Sequence, residues 1–383
     1  MVAGTRDHAG RRRGRKCNQV RLRTCSLEEM PMARTNTSTD RIELARNHGA
    51  AAIARRPFLR MLAGAAAALK FSARKAFAGT WPDQPITIVV STNAGGGYDN
   101  MARNLAPALS KELGVPVNVL DKPGGAMVLG TAYFLSQPHD GNTLLVSGPS
   151  PYWYTDINKF HAGFELKDFD ILNVQWADKT GVFVPKEGRF QSFRAIVDAI
   201  KAQPGTVSCG VVRDSGEFFN AGILLDGLKL PLSAIRLVTY EASAPLRTAI
   251  AGNQLDFGMV SLEASLGMLS LINPVAVFND TRIAEIPNAP TVNEVLKADN
   301  VTVDFVPSSM RALITYADVK EKHPDQYARL HDVYQKVLHD PEFIAKAKKQ
   351  GIATDWLGAE ASLQKIKAAY AIFDRHKALL SAQ

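Results

Sequence analysis

Long apolar runs are missing from this 383-residue chain, and so are paired cysteines and closely spaced histidines. No stretch approaches the roughly 20 apolar residues that a spanning helix needs, so nothing reads as a transmembrane segment. Cys17, Cys25 and Cys209 stand apart from any histidine pair, which leaves no metal-ligand spacing and no metal site to expect. The glycines GGGYDNMAR lack the G-x-G-x-x-G spacing of a dinucleotide fold. Asp121, at the end of the second apolar run, is followed by Pro123-Gly124-Gly125 rather than by the context such a fold requires. A Gly-Lys-Ser/Thr phosphate loop is absent, and Ser147-Gly148-Pro149-Ser150 is no nucleophile elbow. These absences argue against an enzyme and against a bound cofactor.

A basic excess is missing too, once the N-terminal segment is set aside. Arg55, Arg56, Pro57, Phe58, Leu59 and Arg60 read as a twin-arginine signal. A short, weakly apolar run over 61–69 and an Ala76-Phe77-Ala78 cleavage pattern follow it. Arg74 and Lys75 just before the cut disfavour the general secretion route, so export in the folded state and cleavage after Ala78 are expected, which places the mature chain in the periplasm. The competing reading is an ordinary N-terminal helix with two adjacent arginines. Such signals sit nearer a start codon, so translation from Met30 or Met32 competes with Met1. Of the 45 Lys and Arg, 17 precede residue 79, with only 5 of the 37 Asp and Glu, so the formal charge of +8 becomes about −4 in the mature chain. Composition therefore gives no argument for nucleic acid. Cys17 and Cys25 leave with the signal, and Cys209, in VSCGVV, reads as a buried core residue rather than a nucleophile.

What the chain does have is VVSTNAGGGYD over 89–99, an apolar strand running into three glycines and a helix start. Glycines expose backbone amides and a helix N-terminus adds partial positive charge, a combination that suits a small anion. The plainer reading is a turn that needs only flexibility. Strand and helix patterns alternate from there: strands over 86–91, 117–120 and 143–147, helices over 100–113 and 128–137. After a break near 178–181 a second series contains GVFVP, a helix over 193–202, VSCGVV, a helix over 217–228, AIRLVTY, a helix over 244–251, FGMV and PVAVF. Alternation of this kind predicts mostly parallel sheets flanked by helices, and the 305 residues after Ala78 exceed what one core usually holds, so two α/β lobes are expected. From Pro324 the chain reads as helical, with Leu330, Tyr334 and Leu338 inward and Lys346, Lys348 and Lys349 solvated. Pro107, inside the first helix, predicts a kink there or a helix cut to about two turns.

In order along the chain, WPDQPITIVVSTNAGGGYDNMAR, KPGGAMVLGTAYFLSQPHDGNTLLVSG, LKDFDI, YEASAPLRTAIAGNQLDFGMV, IPNAPTVNEV and DPEFIAKAKKQG resemble successive blocks of the periplasmic receptors of tripartite tricarboxylate transporters, the Bug family. The resemblance runs over nearly all of 81–373. It implies a Venus-flytrap clamshell, with domain 1 over 79–179 and 304–383 and domain 2 over 180–303. It further implies a monomer that binds a small carboxylate, a di- or tricarboxylate or an aromatic acid, between its lobes and delivers it to membrane subunits. Use of the same fold to feed a sensor, or as a scavenger, stays open. Ligands of open α/β sheets lie beyond the carboxyl ends of the strands. Family and pattern together nominate Ala94, Gly95, Gly96, Gly97, Tyr98, Gly148, Pro149, Ser150, Arg213, Asp214, Ser215, Ser243, Ala244, Val260 and Ser261. Departures fall at Val211-Val212-Arg213-Asp214-Ser215-Gly216, where the family has a Gly/Ser-rich loop, at Val260-Ser261, where it has Asp-Asn, and at Tyr98, where it has Thr. A lost acidic acceptor and a gained arginine imply a more anionic or less hydroxylated ligand. Arg213 is expected either to hold a distal carboxylate or to pair locally with Asp214 or Glu217. Tyr152, Trp153 and Tyr154 either stack on an aromatic acid or pack the hinge and core.

Overall fold

Two five-stranded sheets organise the chain, and each carries one strand that runs against the rest. The computed structural model describes residues 81–382; the expected signal, its cleavage site, Cys17 and Cys25 lie outside the described residues. In the first sheet β1 (Ile86–Val90), β2 (Val117–Asp121) and β3 (Thr143–Ser150) are parallel. The order is β2-β1-β3-β10-β4, with β4 at Phe169–Ala177 and β10 at Met310–Tyr316. The second sheet has the order β7-β6-β8-β5-β9, from β5 (Thr180–Pro185), β6 (Ser208–Val212), β7 (Arg236–Tyr240), β8 (Phe257–Ser261) and β9 (Ile272–Phe278). Strands β3, β6 and β8 are buried along almost their whole length, which is why their sequences show apolar and small residues without polar alternation.

The odd strands, β5 and β10, are the first ones the chain enters after changing sheets. It leaves β4 at the carboxyl end, crosses through Asp178 and Lys179, and starts β5 from that same end, so β5 must run the opposite way. β10 repeats this on the return. The two crossings meet: Asp178 N donates to the Ser309 carbonyl at 2.9 Å, and Ser308 N donates to the Asp178 carbonyl at 2.9 Å.

The helices follow their apolar spacing. α1 (Gly97–Leu113) buries Met101, Leu105, Leu109 and Leu113. Pro107 does not shorten it; the residue lies on the exposed face, where water can take the Arg103 carbonyl that proline leaves without a donor. Helices α2 (Val128–Leu135) and α3 (Tyr152–Asn158) follow. α4 (Phe193–Ala202) is capped by the Ser192 side chain and buries Phe193, Ile196, Val197 and Ile200. α5 (Gly216–Gly227) and α6 (Ser243–Ala251) follow β6 and β7, and the short α7 (Val292–Leu296) and α8 (Val319–Lys322) flank β10. The closing helices are α9 (Pro324–His339), α10 (Pro341–Lys349) and α11 (Ala359–Arg375). As expected, Leu330, Tyr334 and Leu338 are buried while Lys346, Lys348 and Lys349 are exposed. The segment before α11 is tied to β4 by Asn173 Oδ1, which accepts from Leu357 N (2.8 Å) and Gly358 N (3.1 Å). Cys209 is fully buried, and that burial pushes its thiol pKa up, away from the reactive thiolate.

Candidate functional site

The carboxyl ends of β1, β6, β7 and β8 open on one cleft of about 610 Å³, lined from both sheets. Its first wall is the start of α1. Gly95 takes φ +80°, and its amide donates to Asp99 Oδ2 at 2.7 Å. Asp99 Oδ1 pairs with Arg103 Nε at 2.6 Å, and Arg103 Nη2 reaches Asp121 Oδ2 at 2.6 Å. The Asp-x-x-Ala-Arg segment is therefore a staple that ties the glycine turn to the end of β2, and it places an acid in the first turn where the helix dipole favours one. The Gly96 amide is also engaged, with the Asn93 carbonyl at 3.4 Å. The first helical bond is Asn100 N to the Gly96 carbonyl, so the amides of Gly97, Tyr98 and Asp99 precede the α-helical ladder. Of the three glycines, Gly95 and Gly96 thus have their amides engaged within the turn.

The floor comes from a residue outside the sequence-based set. Arg311, second in β10, is only 11% exposed and pairs with the buried Asp178 (Nη2 to Oδ2, 2.6 Å). Its guanidinium carbon lies 3.9 Å from the centre of the Trp176 ring and 5.1 Å from that of Tyr98. A Cβ on Gly97 would stand 3.0 Å from Arg311 Nε, so glycine is what lets helix and guanidinium meet. Two guanidinium nitrogens, Nε and Nη1, carry no hydrogen bond. Burial works against the charge on Arg311, but Asp178, together with Tyr98 and Tyr152, outweighs it and holds the pKa above its ordinary value.

The second wall is the start of α5. Ser215 caps this helix through Phe218 N and is 1% exposed, so its hydroxyl serves the fold. Gly216 N donates to the Ser308 carbonyl at 2.9 Å, and a Cβ on Gly216 would overlap the Pro307 carbonyl. Glu217, also 1% exposed, accepts from the Ser308 hydroxyl through Oε1 and keeps Oε2 without a hydrogen bond. Burial raises its pKa to about 7. Asp214, at φ +54°, lines the cleft, and burial raises its pKa as well.

The nominated residues divide. Ala94, Gly95, Gly96, Gly97, Tyr98, Arg213, Asp214, Ser243 and Ser261 line the cleft, whereas Gly148, Pro149, Ser150, Ser215, Ala244 and Val260 do not. Gly148 lies beneath Tyr98 and Tyr152, whose side chains occupy the space a Cβ would need, and Val260 is wholly inside the second core. Arg213 sits at the rim, where its Nε pairs with Glu241 Oε1 at 3.0 Å, and its charge also acts on Asp214. Tyr152 faces the cleft, but Trp153 and Tyr154 are core: Trp153 Nε1 donates to Ser147 Oγ at 3.1 Å and Tyr154 packs on Phe219 and Phe373. Two buried acids, Asp178 and Glu217, also line the cleft. The sequence signals for this floor were the MRALITY run after Pro307-Ser308-Ser309, with its single charge at the strand's start, and the lone Asp178 between two apolar strands. Among the described residues no three metal-ligating side chains come together, and no helix is long and apolar enough to cross a membrane.

Comparison with known proteins agrees with this geometry. Residues 101–381 match the family described as tripartite tricarboxylate transporter family receptor. An Agrobacterium vitis protein from the ttuE-ttuC' intergenic region is 27% identical over 76% of this chain and 82% of its own length. BugT of Bordetella pertussis is 26% identical over 57% of this chain and 67% of its own. The fold is shared with a Rhodopseudomonas palustris protein solved with adipate (TM-score 0.63, 20% identity, covering 79% of this chain and 98% of that one). It is also shared with MatC of that organism, solved with malate (TM-score 0.62, 15% identity, covering 78% and 100%). This is a family of solute-binding receptors rather than enzymes, so the enzyme reading falls, and the chain belongs to the tripartite tricarboxylate transporter receptor family.

Proposed function

We propose that this protein is an exported, periplasmic receptor that captures a small carboxylate in the cleft and delivers it to the membrane subunits of a tripartite transporter. The observation that carries the reading is the meeting of the α1 start with the half-satisfied Arg311. Helix amides and two guanidinium nitrogens without hydrogen bonds converge where a carboxylate would complete them. In this reading domain 1 comprises 79–179 and 304–383, domain 2 comprises 180–303, and the two close over the ligand as a monomer. Ala94, Gly97 and Tyr98 contribute from one side and Asp214, Ser243 and Ser261 from the other. The route of export is the twin-arginine one, with cleavage after Ala78.

A melting-shift screen of purified protein over mono-, di- and tricarboxylates tests the reading, followed by recovery of the ligand unchanged. A true ligand at about 100 times its Kd adds roughly 2.7 kcal/mol, and Arg311→Gln abolishes that gain while the unliganded variant still melts cooperatively. Failure of every carboxylate to shift the wild type, or consumption of the ligand, overturns it.

A further inference from the structure

Donors and acceptors are both left over in the cleft, on its floor and on its second wall. Arg311 Nε and Nη1 on the first-sheet side lack acceptors, while Asp178 Oδ1, Asp214 Oδ1 and Glu217 Oε2 lack donors. Glu217 and Asp178 are each 1% exposed, so bulk water does not readily serve them. A buried polar atom without a partner is costly, the more so when charged, which makes these atoms a template for what should fill the space. A ligand that only accepts hydrogen bonds, such as an unsubstituted dicarboxylate, completes Arg311 but leaves the acids bare and adds negative charge beside them.

We propose that the cleft selects a carboxylate that also carries a hydrogen-bond donor, a hydroxyl or an ammonium group, with Arg311 taking the carboxylate and Glu217 accepting from the donor. The proposal rests on the receptor reading and narrows its ligand class. Arg311 is held in place by Asp178 and Trp176, Asp178 in turn accepts from the Ser309 hydroxyl, and Glu217 accepts from the Ser308 hydroxyl, so both groups are preorganised. On this proposal the acidic acceptor stands at Glu217, where Val260-Ser261 offers none.

Titration calorimetry at pH 7.5 with matched sets decides it: succinate, malate and aspartate; glutarate, 2-hydroxyglutarate and glutamate; tricarballylate and citrate; benzoate and 4-hydroxybenzoate. In at least one set the donor-bearing member binds about tenfold or more tightly than its parent. Whether the hydroxyl or the ammonium member leads identifies the group. Glu217→Gln narrows the gap to about threefold or less, in part by tightening the parent, which no longer faces that carboxylate, and Arg311→Lys weakens all members of the set alike. Parents binding as tightly as their substituted partners, or a gap untouched by Glu217→Gln, overturns the donor proposal while leaving a carboxylate receptor standing. Absence of binding by every compound overturns the receptor reading itself. Should Glu217→Gln fail to fold, the wild-type comparison within each set decides the question alone.

Discussion

Glu217 shows how one residue ties the cleft to stability. Its carboxyl sits against Ser308 and Ser215, with Asp178, Tyr98 and Tyr152 as the other ionisable groups acting on it, and burial outweighs the hydrogen bonds to raise its pKa from 4.5 to about 7. Between those two values the folded protein binds more protons than the unfolded chain, so stability falls as pH rises through that window. Asp156 acts in the same direction: burial, then the nearby Asp214, raises its pKa to about 8. Ligand-free protein should therefore melt at progressively lower temperature from pH 5 to pH 8. Glu217→Gln, which cannot titrate, should flatten that decline between pH 5 and pH 7 while the part due to Asp156 persists. Parallel melting curves for variant and wild type would show that Glu217 titrates near its ordinary value. Arg213 is the contrast, since this arginine, which the family pattern does not supply, pairs at the rim with Glu241 and is 47% exposed. Such pairs contribute about 0–1 kcal/mol.

At the scale of the element, the first turn of α1 works because Gly97 has no side chain. Alanine is a better helix former than glycine by up to roughly 1 kcal/mol, a gain that crowding at Arg311 offsets, so unliganded Gly97→Ala should still melt cooperatively and close to the wild type. Its Cβ would stand 3.0–3.2 Å from three atoms of the Arg311 guanidinium, which is pinned by Asp178 and Trp176. Carboxylate affinity should fall by about tenfold or more without loss of the fold; calorimetry beside a melting curve reads both, and unaltered affinity would separate Gly97 from the site. The glycine turn, the parallel strands and most helices were legible because local period and turn chemistry determine them. Strand β10 was not, for a physical reason. MRALITY says that a strand exists, but its place between β3 and β4 depends on pairing with residues more than 130 positions away. Arg311 reaches the cleft only through that insertion, and Trp153 and Tyr154 were ambiguous for the same reason, since their partners Phe164, Phe169, Phe219 and Phe373 come from other elements.

That insertion also bears on how the whole molecule is built. The first sheet has the order β2-β1-β3-β10-β4, so its centre is incomplete until Tyr316 has been made, and α11, which ties to β4 through Ser362 Oγ and Val174 N at 2.8 Å, comes later still. The second sheet lies wholly between the two halves of the first in sequence, and Phe219 of α5 packs on Phe373 of α11 with ring centres 4.5 Å apart. Contacts of such long sequence separation form late and slowly. The proposed twin-arginine route, in which the chain folds before it is moved, can be tested at Arg55 and Arg56. Replacing Arg55 and Arg56 together with lysine should leave full-length precursor, folded and able to bind carboxylate, in the cytoplasm, while the wild type yields a periplasmic chain beginning at Gly79. Cell fractionation with N-terminal sequencing reads both, and normal export of the double variant would rule out the twin-arginine route.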